Sequence, residues 1–250
     1  MSAIADYQRG VVSILERIAA GRDSIHSAAQ IIADAIADDK VIYVGHGGAH
    51  SGMILEETFY RAGGLACMNP MLDEAVFLGH GATRSTRMER TPGYGRTVVD
   101  LYGIAKDDVL LIITSVGITT MAIDEALEAR ERGARIIALT STSFAENTPS
   151  DHPSRHPEGH NLHEIADLFL DCHVPLGDAV VAIDGVDEKV GPTSTVALAY
   201  LSHQLIAQVV AILHSRGITP PLWQSSNTTG GDEANRENIE KYRHRAKHLA

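Results

Sequence analysis

The first forty residues alternate apolar and polar positions at helical spacing. Val11, Val12, Ile14, Leu15 and Ile18 form one stripe, closed by Gly21, and Ile25, Ala28, Ala29, Ile32, Ala35 and Ile36 form a second that ends near Asp38-Asp39. The period then changes. Val41 to Val44 is a short apolar run that ends in the turn Gly45-His46-Gly47-Gly48, and a helical pattern with Met53, Ile54, Phe59 and Tyr60 carries on to Gly63-Gly64. Strands are predicted at Leu65–Met68, Val109–Thr114, Arg135–Thr140 and Leu168–Cys172, with a small one at Ala179–Ile183. Near-continuous apolar runs such as Val109 to Ile113 suit strands buried on both faces, which is the parallel case. Helices are predicted at Thr119–Arg132, closed by Gly133, at Thr193–Ser215, and in a charge-rich tail at Glu233–Lys247. Strand-helix-strand alternation predicts an α/β fold, a doubly wound parallel sheet with helices on both faces. One domain would span 1–250: helices over 1–38, a core over about 35–217 and an extension over 218–250. Two stretches have no clear period: Gly79–Arg96, and the proline- and histidine-rich Ser141–His163.

Composition narrows the function. Of 250 residues 44% are hydrophobic and 21% charged, enough to bury a core. Acidic residues number 32 against 21 lysines and arginines, a net charge of −11, which speaks against a nucleic-acid partner. Two cysteines, Cys67 and Cys172, make no disulfide framework and read as reduced thiols, so a cytoplasmic location is expected. No signal-peptide pattern opens the chain. The apolar stretch Val196–Leu213 is interrupted by His203, Gln204 and Gln208 and reads as too polar for a membrane span.

In an open parallel sheet, ligands bind beyond the carboxyl ends of the strands, which directs attention to three loops. Gly45–Ser51 lets backbone amides approach an anion at a helix N-terminus, with His50 and Ser51 as candidate ligand contacts. A dinucleotide reading fails at two points: His50 stands where a third glycine is needed, and Asn69 where a ribose-binding acid is expected. Thr114-Ser115-Val116-Gly117-Ile118-Thr119-Thr120 offers four hydroxyls before a helix, more than a cap requires, so Thr114, Ser115, Gly117 and Thr119 are candidate substrate contacts. Thr140 and Ser141, after the fourth strand, repeat the theme and read equally well as a polar turn.

The loops resemble those of the SIS (sugar isomerase) fold, and the chain is most similar to SIS proteins likened to phosphoheptose isomerase. The likeness rests on Ala49-His50-Ser51, on Glu56-Glu57-Thr58-Phe59-Tyr60-Arg61-Ala62-Gly63-Gly64, on Glu164-Ile165-Ala166-Asp167, on Gly177-Asp178-Ala179, on Val190 to Val196, and on Ser226-Asn227 with Gly230 to Asn235. The resemblance implies phosphosugar binding and aldose–ketose isomerisation, with pairing through the N-terminal helices to a dimer or tetramer in which Tyr7–Ile36 contributes. Two positions depart from the pattern. Val116 replaces a phosphate-loop serine, and Leu55 and Phe59 stand where phosphoheptose isomerases place a histidine and a glutamate.

Isomerisation needs a base and an acid beside a carbonyl. Glu57 lies six helical residues beyond Ser51, a rise of about 9 Å, and is the first candidate; the alternative is a salt bridge to Arg61 at i+4. His203 lies on an apolar helix stripe and is either a core histidine or, as the resemblance implies, an acid or base. Glu89, among arginines, is a third candidate. His152, His156, His160 and His163 have metal-like spacing, but Pro153, Pro157 and Gly159 break any helix that would align them, so a solvated loop and no metal are expected. No cofactor is implied. The alternative functions are a non-catalytic sugar-phosphate-binding or regulatory protein, and a sugar-phosphate lyase or etherase.

Overall fold

The computed structural model describes residues 2–249. Helix α1 (Ala3–Ala20) starts where the Ser2 hydroxyl accepts from the Ala5 amide, and Gly21 parts it from α2 (Arg22–Ala37). Strand β1 (Ile42–His46) follows, then α3 (Ala49–Thr58) and β2 (Met68–Pro70). A short 3₁₀ turn at Leu78–His80 leads into α4 (Ala82–Glu89) and α5 (Tyr94–Tyr102). Next come β3 (Val109–Ile113), α6 (Thr120–Glu131), β4 (Arg135–Thr140), α7 (Thr142–Asn147), α8 (Leu162–Ile165) and β5 (Leu168–Asp171). The hairpin β6 (Ala179–Val181) and β7 (Val190–Pro192) precedes the long α9 (Ser194–Ser215) and the tail helix α10 (Gly231–Tyr242).

Five strands form one parallel sheet in the order β2-β1-β3-β4-β5. Successive side chains leave opposite faces. Val109, Leu111 and Ile113 of β3, with Ile137 and Leu139 of β4, meet a core built from α1, α2, α3 and α9. Leu110 and Ile112, with Ile136 and Ala138, meet the core of α5 and α6. Both faces are thus apolar, which is why these runs read as continuous in the sequence. In α2 the fully buried Ala28, Ala29 and Ala33 present a smooth face to its neighbours.

Several expectations are corrected. The second strand lies at Met68–Pro70 rather than Leu65–Met68: Leu65, Ala66 and Cys67 are buried, but only from Met68 does the chain pair with β1, while Leu65 bridges to Leu222. Helix α3 stops at Thr58, because Phe59 is extended and Tyr60 has φ +48°. Gly79–Arg96 is largely helical. Helix α4 buries only Ser85 and has no apolar stripe to announce it. In Ser141–His163, Ser141 caps α7, and a reciprocal Asn161–Glu164 capping box opens α8. The tail helix begins and ends earlier than Glu233–Lys247. Helix α9, with a mean hydropathy of 1.8, is long and apolar enough to cross a membrane. It packs here on the sheet, with Leu198, Leu201, Leu205, Val209 and Leu213 buried.

Candidate functional site

Strand order reverses direction between β1 and β3, and there two loops part and leave a crevice. A cavity of about 560 Å³ opens at this point. Its floor is the β1 loop. A Cβ at Gly47 would lie 2.5 Å from Thr119 Oγ1 and 2.9 Å from Thr114 Oγ1, so only glycine lets the two loops close on each other. Gly48 has φ +152°, and a Cβ there would collide with the Glu89 carboxylate. His50 and Ser51 complete this wall, and Thr114, Ser115, Val116 and Thr119 form the opposite one.

Three helices, α3, α6 and α9, begin at or beside the cavity, at Ala49, Thr120 and Ser194. At α3 and α6 the amino-end dipoles favour an anion or an array of hydroxyl oxygens, whereas the start of α9 already carries the Asp178 carboxylate. Among the described residues no lysine or arginine lines the space, and its charged side chains are Glu89 and Asp178. Thr119 is buried, and its Oγ1 has no hydrogen-bond partner among the described residues. A buried hydroxyl without a partner, on the wall of a cavity, is a candidate contact for a ligand. The amino end of α9 is braced differently. Asp178 Oδ1 accepts from the Thr193 and Ser194 amides, at 2.7 Å each, and Oδ2 accepts from the Ser194 hydroxyl at 2.6 Å.

Glu89, at the end of α4, reaches into the same cavity. Burial raises its carboxyl above the ordinary glutamate range, against the smaller opposing pull of Arg90 and of the Ala49 amide. It has no ion-pair partner among the described residues.

The sequence candidates separate. His50, Ser51, Thr114, Ser115 and Thr119 come together around the cavity. Gly117, Thr140 and Ser141 lie outside its lining. The Ser141 hydroxyl donates to the Val174 carbonyl and accepts from the Phe144 amide, and Thr140 packs against Gly117. Glu57 and His203 come together, but not at the cavity. His203 Nε2 lies 2.9 Å from Glu57 Oε1, which Arg61 Nε also approaches at 2.8 Å; the side chains are 43% and 27% exposed. The Glu57–Arg61 ion pair and the histidine contact therefore coexist. Sequence reasoning passed over Thr86, Asp178, Ser194 and Thr195 as lining residues, although Gly177-Asp178 and Thr193 to Thr195 carry part of the family likeness.

The histidine segment is solvated in part, with His152 and Pro157 to Gly159 exposed, but not throughout. His156 is buried, with Nε2 3.3 Å from Asp124 Oδ1, and the Arg155 guanidinium donates to Asn161 Oδ1 and to the carbonyls of Ala145, Thr148 and Pro149. The strap clasps the hydroxyl loop from behind: the His156 amide donates to the Ile118 carbonyl, and the Leu162 amide to that of Gly117. No group of three or more potential metal ligands gathers among the described residues.

A doubly wound parallel sheet with a cavity at its switch point defines the class of α/β proteins that take small ligands at strand carboxyl ends. Within that class the chain belongs to the SIS domain family, whose model matches residues 6–141. A UPF0309 protein of Shouchella clausii is 33% identical, with 100% of both chains covered. A UPF0309 protein of Brucella canis is 38% identical over 94% of this chain and 96% of its own. Among solved structures, a phosphoheptose isomerase from Francisella tularensis shares the fold with a TM-score of 0.52 at 16% identity, covering 84% of this chain and 98% of that one. One from Neisseria gonorrhoeae gives a TM-score of 0.51 at 14% identity, covering 85% and 97%.

Proposed function

We propose that this cavity binds a sugar phosphate and that the protein isomerises it by proton transfer beside the carbonyl, in the cytoplasm and as a homodimer or a dimer of dimers. The observation that carries the binding half is the unpartnered Thr119 hydroxyl between the amino ends of α3 and α6. Such an arrangement suits phosphate and sugar oxygens without any cationic side chain.

Glu89 is the acid–base group this reading favours. It faces the cavity, it has no ion-pair partner among the described residues, and burial favours its protonated form, so the carboxyl can both take a proton and return it. Its carboxylate would remove the proton from the carbon beside the carbonyl, giving an enediol, and return it to the former carbonyl carbon, while the hydroxyl proton passes to the former carbonyl oxygen. A second reading rests on the Glu57–His203 contact at 2.9 Å, a ready acid–base pair that would act on a cavity brought to it by a second copy.

The test is solvent deuterium incorporation into a panel of sugar phosphates, followed by NMR. Under the first reading, Glu89→Gln keeps ligand binding and loses about 10²–10⁴-fold in exchange, while Glu57→Gln is close to wild type. The reverse result transfers the chemistry to Glu57 and His203. Binding without exchange in the wild type would leave a sugar-phosphate-binding protein and remove the isomerase.

A further inference from the structure

A second cavity, of about 530 Å³, lies on the other side of Ala49 and Leu78, two residues that also border the first. Its walls are mostly apolar, with Met53, Leu72, Val76 and Phe77. Its polar side chains are three carboxylates, Glu56, Asp73 and Glu74, and three imidazoles, His46, His80 and His248, with no lysine or arginine among the described residues. His248 Nε2 is engaged by the Tyr102 hydroxyl at 2.7 Å. Glu56 and Glu74 have no ion-pair partner among the described residues. Asp73 Oδ1 is held by the Tyr94 hydroxyl at 2.6 Å and the Ala75 amide at 2.8 Å, which fixes its carboxylate in place.

His46 supplies an independent observation. It ends β1, is 2% exposed and lines this cavity. Its Nδ1 lies 2.8 Å from the Gly48 carbonyl, which can only accept, so we assign the proton to Nδ1. The 3.3 Å approach of the Gly48 amide to the same nitrogen is then not a hydrogen bond. Burial lowers the imidazole below its ordinary value and keeps it neutral. Nε2 is left as an acceptor, with no partner in the described chain.

A space walled by hydrocarbon, edged by carboxylates and ending on a buried acceptor selects a ligand that is apolar in body and donates protons. Each carboxylate attracts positive charge, and the unpaired imidazole nitrogen accepts an N–H. We propose that this cavity binds an apolar group carrying a protonated amine, with the ammonium directed at Glu56, Glu74 and His46 Nε2. The site stands on its own residues, whether or not the first cavity takes a sugar phosphate.

Benzylamine is a suitable probe, with benzyl alcohol and benzoate as controls of matched shape. We expect saturable binding of benzylamine by calorimetry, a shift of the His46 Nε2 signal in long-range ¹H–¹⁵N spectra, and no binding of benzoate. Glu74→Gln should weaken benzylamine by about two- to fivefold, the range for a partly exposed ion pair. Gly52 lines the cavity in a helix, where leucine is better tolerated than glycine, so Gly52→Leu should fill the space and abolish binding with the fold intact. Met53→Trp fills it from another side, should the first variant misfold. Thr119→Val, in the first cavity, should leave benzylamine unaffected and so separates this site from the sugar-phosphate reading. Equal binding of benzoate, binding that survives both filling variants, or no His46 shift at saturation would overturn the proposal, as would the absence of benzylamine binding.

Discussion

Glu125 sits on α6 directly beneath Gly45, fully buried and without an ion-pair partner among the described residues, with the His46 amide the one hydrogen-bonding group that favours its charged form. Burial raises its carboxyl well above the ordinary range, so the native state retains a proton that the unfolded chain releases. The stability this proton supports is complete below the ordinary glutamate value and is lost as pH rises from there through the elevated one. Glu125→Gln keeps the shape and removes the titration. Its unfolding free energy should vary less between pH 4 and 8, and at pH 8 it should exceed that of the wild type. Urea titrations across that range that show parallel curves would refute the assignment. Thr119 makes the opposite kind of residue-level prediction. Its hydroxyl bonds to nothing in the described chain, so Thr119→Val should leave the melting temperature nearly unchanged. Ligand affinity should fall by about 1.5–3 kcal/mol if the group meets a charged oxygen, as calorimetry with a binding sugar phosphate would read.

Two packing arrangements decide how the elements carry these residues. Helix α5 crosses α6 at Gly95, where a Cβ would lie 2.7 Å from Asp124 Cβ and collide with the Met121 carbonyl. Gly95→Ala must push the helices apart and should cost about 1–3 kcal/mol in chemical denaturation. The disturbance would reach Asp124, whose carboxylate accepts from the Gly93 amide at 2.7 Å and meets His156. Helix α9 depends on Asp178 at its amino end, so Asp178→Ala should cost about 0.5–2 kcal/mol and loosen the wall that holds Ser194 and Thr195. A cost within error would show that solvent satisfies those amides equally well.

For the whole molecule, the prediction is assembly. Helix α1 leaves Ile4 82% and Val12 43% exposed. It packs beside the hairpin through the Tyr7 hydroxyl, which donates to the Pro192 carbonyl. The loop before the hairpin, the hairpin itself and the start of α9 expose Leu176, Val186, Val190 and Val196. Apolar surface of this kind favours covering by another copy. Light scattering at micromolar concentration should therefore report a dimer or tetramer, and Ile4→Glu with Val12→Glu should shift it toward monomer. A wild-type monomer under those conditions would end the assembly proposal.

Some of this was settled by the sequence alone, for local reasons. The runs Val109 to Ile113 and Arg135 to Thr140 could only be strands buried on both faces, and glycines at 21 and 133 mark helix ends. The loops after β1 and β3 named five of the residues that line the first cavity, His50, Ser51, Thr114, Ser115 and Thr119, because topology fixes where strand ends must open. Packing decided the rest. Helix α4 has no apolar period, so nothing in its spelling says that Glu89 turns toward Gly48. Glu56 and Glu57 are neighbours in the chain, yet about 100° of helical rotation sends one to the second cavity and the other to His203 and Arg61. Side-chain direction depends on which face of α3 meets α9, and that meeting joins residues almost 150 positions apart.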